Sequence, residues 1–371
     1  MNPAYKKIYT CTPVAFHAND GFYIRDTGLI ASTLRTMGVE SRCIMPLPYY
    51  EDDQREHLIR TEYRNLESAD WWRSLGIDAL VLYSWGAPRY RRIAYAVRKA
   101  GIRLVLHMDT SGDFVGSQPE DTPWWRILYL KLRVLAQDVL RARHMKQADV
   151  ITMCPEAARA VAHKLFYGNW VQERCFPMSN PVSPSCRYNG EEKKNLVMCV
   201  GRWDDEFQKR PAMLMATLEQ FYATPAEIVT RVYGTITSEL QQWHAKLPLH
   251  VARQVELVGY LPNHELRKQY CQARVVLCTS RFEGSHISSC EGLCSGCSVV
   301  VPPRHEELRD VIWYASAQSG TVSDADTPES LAKALEKELG LWDSGARNPW
   351  NIASYWQPYF HADKVFNKIF E

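Results

Sequence analysis

Residues 281–302 read RFEGSHISSCEGLCSGCSVVVP, and two chemistries compete for them. Cys290, Cys294 and Cys297 stand in a C-x3-C-x2-C spacing that would suit an iron–sulfur cluster. Glu283 and Glu291 stand eight residues apart around a short polar stretch able to receive an anion. "SSCEGLCSG" reads as a helix closed by Gly296, where a C-cap favours glycine. Cys290 and Cys294 then share one inward face a turn apart, and Cys297 opens the next strand, so packing accounts for the sulfurs. No fourth ligand stands at a zinc spacing, and no metal or other cofactor is expected.

The carboxylates carry more chemistry. The run RVVLCTS (274–280) predicts a strand entering RFEG, with a helix beginning near Ser285–Ser288. The first N–H groups of a helix lack internal acceptors and carry partial positive charge, which favours an anion there. Gly284, Ser285, His286, Ile287 and Ser288 form that turn, with Glu283 just before it and Glu291 one turn into the helix. A carboxylate accepts charge-assisted hydrogen bonds from hydroxyls. The layout suits a molecule with hydroxyls at both ends and a diphosphate between them, which describes a nucleotide sugar.

At 371 residues the chain exceeds the size at which a single core usually stops growing, so two domains are expected. β-rich apolar runs alternate with helical patterns throughout, as in KIYTCTPVAF, DALVLYSW and IRLVLHMD in the first half. NLVMCVGRW, AEIVTRVYG and VELVGY continue the scheme in the second. Such alternation predicts right-handed crossovers and parallel sheets. The Pro-, Ser- and charge-rich FPMSNPVSPSCRYNGEEKKN (176–195) is the linker candidate. The expected organisation is a first domain over 1–183, a second over 184–350, and an aromatic C-terminal helix over 351–371 packing back on the first. The fold class is α/β, two doubly wound Rossmann-like domains facing across a cleft.

Net charge is only +2, too balanced to suggest nucleic acid. No apolar run approaches the length of a membrane span, and the start reads as a first strand rather than a secretory signal. Eleven cysteines, an odd number scattered from Cys11 to Cys297, suit a reducing cytoplasm better than a disulfide framework.

Glu-x7-Glu after such a strand, followed by EGLCSGCSVVVP, resembles the donor-binding signature of the GT-B retaining glycosyltransferases of GT4 type (glycosyltransferase group 1). VGRWDDEFQKRP (200–211) resembles that family's Gly-Arg…Lys element, and VELVGYLPNHELRKQYCQARVVLCTSRFEG (255–284) the stretch joining the two. The likeness covers about residues 195–315; the first half matches in pattern only, at GIRLVLHMD, ADVITMCPEAARAV and SNPVSP.

The resemblance implies transfer of a hexose-type sugar with retention, without a metal, from a UDP- or GDP-sugar to a glycan, lipid-linked or small-molecule acceptor. Arg202 and Lys209 would neutralise the donor diphosphate and stabilise the departing nucleoside diphosphate. Glu291 would hold the ribose hydroxyls and Glu283 those of the sugar. His107 matches a histidine reaching the donor sugar from the opposite domain, and Gly21 a position where backbone approaches phosphate. The chain departs from the family where His286 replaces glycine and Ser288 a frequent proline; the imidazole is expected to donate to a phosphate oxygen. That altered stretch keeps a catalytically silent nucleotide-sugar-binding protein as an alternative, with a sugar-nucleotide epimerase as another.

Two acidic motifs take bland readings. "DAD" (Asp324–Asp326) serves as loop and helix cap, and "DDE" (Asp204–Glu206) as a polar turn before Lys209. Residues 124–146, WWRILYLKLRVLAQDVLRARHMK, hold six Lys/Arg against one Asp. A core helix with basic edges is the favoured reading. The alternative is peripheral contact with the inner face of the membrane by a helix lying on an anionic bilayer.

Overall fold

The computed structural model describes every residue except 1–4, 18–20, 52, 54–55, 109–120, 154, 179, 284 and 304–313. The chain divides into two compact units. The first runs to Pro184 and takes in Tyr359–Glu371; the second holds the described residues between Ser185 and Pro358.

The first unit contains β1 (Ile8–Cys11), α1 (Gly21–Arg25), α2 (Thr27–Thr36), β2 (Cys43–Pro46), β3 (Leu58–Thr61), α3 (Tyr63–Leu66) and α4 (Ala69–Ser74). It continues with β4 (Ala79–Tyr83), α5 (Arg91–Lys99), β5 (Arg103–His107), α6 (Trp124–Met145), β6 (Val150–Met153), α7 (Pro155–Ala162), α8 (Trp170–Arg174) and β7 (Cys175–Pro177). All seven strands are parallel, in the order β3-β2-β1-β4-β5-β6-β7. Every residue of β4 is buried, as is every residue of β5 after Arg103. Such near-continuous apolar runs mark strands covered on both faces.

The second unit contains β8 (Lys194–Arg202), α9 (Pro211–Phe221), β9 (Val229–Thr235), α10 (Ser238–Lys246), α11 (Leu249–Ala252), β10 (Val255–Gly259) and α12 (Asn263–Gln272). Then come β11 (Ala273–Leu277), α13 (Ile287–Cys294), β12 (Ser298–Val301), β13 (Gly320–Val322), α14 (Pro328–Asp343) and α15 (Pro349–Phe360), the last running into the first unit. Its six parallel strands are ordered β10-β9-β8-β11-β12-β13. Strand order reverses between β1 and β4 in one sheet and between β8 and β11 in the other, so both are doubly wound.

Helix ends follow local chemistry. Pro211 and Pro328 stand in the first turns of their helices, where a missing N–H is harmless. The Thr327 hydroxyl accepts from the Ser330 N–H and caps α14. The last helix, α16 (Ala362–Ile369), returns to the first unit. Its Val365, Phe366 and Ile369, with Phe370, join Ile8, Ile30, Leu34 and Val105 in one core. Fully burying each such side chain contributes about 1.5–3 kcal/mol.

One expectation is corrected here. The reading of 124–146 as a core helix fails for its first half: no residue of α6 before Asp138 is buried. Trp124 is 76% exposed and Trp125 60%, and Leu128, Tyr129, Leu132 and Leu135 are exposed as well. Only the C-terminal part enters the fold, through Asp138, Arg141, Ala142, His144 and Met145. Sequence periodicity marks an apolar stripe without saying whether protein covers it. Among the described residues no helix is long and apolar enough to cross a membrane.

Candidate functional site

Ligands of open α/β sheets bind beyond the carboxyl ends of the strands, at the point where strand order reverses. In the second unit that point lies between β8 and β11. The loops leaving these two neighbours, 203–210 and 278–286, carry most of the candidate residues.

Arg202 ends β8, and Trp203 anchors the chain behind it by donating from its indole to the Tyr233 carbonyl at 2.9 Å. The acidic run that follows is a turn. Asp205 accepts from the Gln208 N–H at 2.9 Å and from the Arg202 guanidinium at 3.1 Å. The Asp205 carbonyl accepts from the N–H groups of both Lys209 and Arg210.

Three side chains meet where the loops face each other. The Lys209 ammonium donates to Glu283 Oε1, and the Gln208 amide donates to Glu283 Oε2 at 3.1 Å. Gln208 also accepts from Arg202 at 3.2 Å, so it links the exposed guanidinium to the buried carboxylate. Burial would raise the Glu283 carboxyl, but the Lys209 ammonium, His286 and hydrogen bonds from Lys209 and Ser280 outweigh it, and the net direction is down. Glu283 is therefore a carboxylate near neutral pH, able to accept from hydroxyls.

The helix α13 begins at Ile287, with His286 as its N-cap residue. Ile287 and Ser288 head the helix, where N–H groups lack intrahelical acceptors. His286 is 3% exposed, and its Nδ1 lies 2.7 Å from the Ser289 hydroxyl. Ser285 Oγ lies 3.7 Å from Cys290 Sγ. Glu291, 8% exposed, accepts from the Cys186 thiol at 3.9 Å. Close approach of α13 to the sheet depends on Gly292, where a Cβ would fall 2.5 Å from Val276. Gly284 lies outside the described residues.

Cys290, Cys294 and Cys297 are fully buried. The Cys297 thiol donates to the carbonyls of Tyr270 and Ala273, and burial raises the Cys294 and Cys297 thiols. Packing describes them fully. Among the described residues no cluster of His, Cys, Asp and Glu could hold a metal ion.

The remaining candidates lie in the first unit. Gly21 opens α1, after the segment that follows β1. His107 ends β5 with no exposed surface; its Nδ1 lies 2.8 Å from Thr152 Oγ1 and its Nε2 donates to Asn180 Oδ1 at 2.7 Å. It stacks on Tyr83, and burial lowers its pKa to about 4, so the ring is neutral.

Sequence reasoning passed over three residues. Gln208 bridges Arg202 to Glu283. Arg210 holds Asp326 with both terminal nitrogens at 2.8 Å each and donates from Nε to the Thr279 carbonyl at 2.7 Å. Thr279 in turn donates from its hydroxyl to the Lys209 carbonyl at 2.9 Å. This corrects the reading of Asp324–Asp326 as mere loop and cap, because Asp326 is one arm of a bidentate ion pair. No local signal joins residues 116 positions apart.

Residues 194–340 match the family model described as glycosyl transferases group 1. Three solved structures share the fold over nearly the whole chain. Sucrose-phosphate synthase from Thermosynechococcus elongatus aligns with a TM-score of 0.67 at 13% identity, covering 98% of this chain and 97% of that one. WaaG, a glycosyltransferase involved in lipopolysaccharide biosynthesis, aligns at 0.63 with 19% identity and coverage of 98% and 99%. Anabaena HepE in complex with UDP-glucose aligns at 0.62 with 13% identity and 98% coverage of each chain. The matched family segment contains Arg202, Lys209, Glu283 and Glu291, and the two doubly wound sheets are those of the GT-B fold. The second unit is thus similar to the group 1 glycosyl transferases over residues 194–340, and the chain as a whole has the GT-B fold.

Proposed function

We propose that the protein is a retaining, metal-independent glycosyltransferase that moves a hexose-type sugar from a UDP- or GDP-sugar to a glycan, lipid-linked or small-molecule acceptor. One observation carries the reading: Lys209, Gln208 and Glu283 converge at the switch point of the second sheet, beside Arg202 and within the matched family segment. The HepE structures hold UDP, UDP with glucose, or UDP-glucose, and a pneumococcal O-GlcNAc transferase of the same fold holds UDP and GlcNAc. Those ligands are the reason for naming a nucleotide sugar.

In this reading Arg202 and Lys209 take the diphosphate oxygens, and the N–H groups heading α13 add partial positive charge. Charge develops there as the nucleoside diphosphate departs, so these groups stabilise the transition state more than the bound donor. Glu291 accepts from the ribose hydroxyls and Glu283 from those of the sugar. Donor binding frees Lys209 from Glu283, so one event supplies both a cation for phosphate and a carboxylate for hydroxyls. Ser285, Ser288 and His286 stand around the helix start, with His286 donating to a phosphate oxygen. Gly21 and His107 are kept as donor contacts of the first unit; for His107 this requires giving up a bond to Thr152 or Asn180.

The projecting half of α6 supports a peripheral position on the inner, cytoplasmic face of the membrane. Residues 124–137 carry Arg126, Lys131 and Arg133 and no acid among nine large apolar side chains, which suits an anionic bilayer.

The deciding experiment incubates the protein with radiolabelled UDP- and GDP-hexoses and an acceptor extract, following label into product and the anomeric configuration. Acceptor-dependent transfer supports the proposal. Tight nucleotide-sugar binding without turnover points to a silent binding protein, and interconversion of donor sugars without acceptor to an epimerase.

A further inference from the structure

We infer that Arg210 is a positioning residue, clamped by Asp326 and Thr279 in a left-handed backbone conformation that aims Lys209 at its phosphate partner. The inference rests on the role proposed for Lys209 and adds residues that the role does not require.

Arg210 has φ 54° and ψ 66°, one of two described non-glycine residues with positive φ. An L side chain disfavours that region, and the strain persists only where surroundings enforce it. Pro211 follows and opposes the ordinary right-handed alternative for the residue before it. The enforcement is visible. Both terminal nitrogens of Arg210 grip Asp326, Nε donates to the Thr279 carbonyl, and the side chain is 6% exposed. An arginine fork on a carboxylate fixes orientation as well as charge, which a lysine at this place would not do.

The ring closes on Lys209. Thr279 accepts from Arg210 at its carbonyl and donates from its hydroxyl to the Lys209 carbonyl, while the N–H groups of Lys209 and Arg210 share the Asp205 carbonyl. The peptide between residues 209 and 210 is thereby held from both sides. Its anchors lie on the segment after β11 and the segment before α14. The Lys209 side chain is long and flexible, so a fixed backbone is what limits where its ammonium reaches. A residue that merely tied α14 to α9 would need no left-handed backbone next to Lys209 and no bond routed through the Lys209 carbonyl.

The test measures calorimetric affinity for UDP and for GDP, with thermal midpoints, in Arg210→Ala, Arg210→Gly, Asp326→Ala and Asp326→Asn, alone and combined with Lys209→Ala. Arg210→Ala and Asp326→Ala should each weaken nucleoside diphosphate binding about tenfold, and in the Lys209→Ala background neither should weaken it further. Asp326→Asn retains shape and gives the reading should the alanine variant not fold. Arg210→Gly adopts the backbone without strain but lacks the clamp, so it should bind as weakly as Arg210→Ala. Parental affinity in Asp326→Asn and Arg210→Gly, or an undiminished loss in the Lys209→Ala background, overturns the clamp alone. Failure of the parent to bind either nucleotide, or parental binding by Lys209→Ala, removes the role of Lys209 and the clamp with it.

Discussion

The Lys209 ammonium and the Glu283 carboxylate form a largely buried ion pair, with side chains 13% and 5% exposed, across two loops that leave neighbouring strands. Each group neutralises the other. Removing one partner strands a charge where water is scarce, whereas removing both does not.

Lys209→Ala is therefore expected to cost about 3 kcal/mol of stability, and Lys209→Met with Glu283→Gln to restore most of it. Both variants should bind nucleoside diphosphates measurably but more weakly than the parent. Denaturation profiles set beside calorimetric titrations with UDP and GDP check this. A stable single variant would show that solvent already screens the pair.

Glu283 has a lowered pKa in the fold, so the stability it contributes is present above its unfolded value of about 4.3 and is lost as pH falls toward the folded value. Glu283→Gln should flatten the thermal midpoint over that acid window. An acid limb as steep as the parent's would mean that other carboxylates dominate it.

His107 and His144 are buried with pKa values lowered to about 4, by burial in both cases and also by Arg141 and Arg91 for His144. The unfolded chain binds protons at these rings near pH 6.5 that the fold refuses. Stability should fall as pH drops from about 6.5 toward 4, by up to about 1.4 kcal/mol per pH unit for each ring. Melting curves of His144→Gln should show a shallower slope across this window. The Ser84 hydroxyl, 2.9 Å from His144 Nε2, can accept the replacement amide.

Gly234 has φ 108°, and a Cβ there would lie 1.9 Å from the Gly201 carbonyl oxygen, next to Arg202. Gly234→Ala must push β8 and β9 apart at the carboxyl end that carries the site. A lowered melting point together with weaker nucleoside diphosphate binding is expected. Weakened stability at parental affinity would place the damage away from the Arg202 loop.

Sedimentation with vesicles tests the exposed half of α6. Anionic vesicles should carry the protein down and zwitterionic ones should not. Near an anionic surface each cation contributes about 1 kcal/mol, so Arg126→Glu, Lys131→Glu and Arg133→Glu together should lower the partition by about two orders of magnitude or more. Trp124→Ser with Trp125→Ser should weaken it on anionic vesicles as well. Recovery in the supernatant whatever the lipid would leave the apolar stripe to another partner.

Much of the candidate site was legible because its parts are local. Glu283 and Glu291 stand on one strand–turn–helix unit, and Arg202 and Lys209 on one strand and its loop, so spacing alone relates them. The short edge strands β3, β7 and β13 were not legible, since three or four residues with partners only on one side give little period to read. Gln208 looked like any loop glutamine, and Asp326 like an ordinary helix-start acid.

From residue order alone came the parallel alternation, the doubly wound class, the polar turn between two glutamates and the burial of the cysteines. Each depends on neighbours a few positions apart, through strand period, helix period or capping. Tertiary structure alone set the strand order that brings the β8 and β11 loops together, paired Lys209 with Glu283, and joined Arg210 to Asp326. It also left the first half of α6 uncovered. Those outcomes depend on which distant surfaces meet, and a hydrophobic or charged side chain carries no record of its eventual partner.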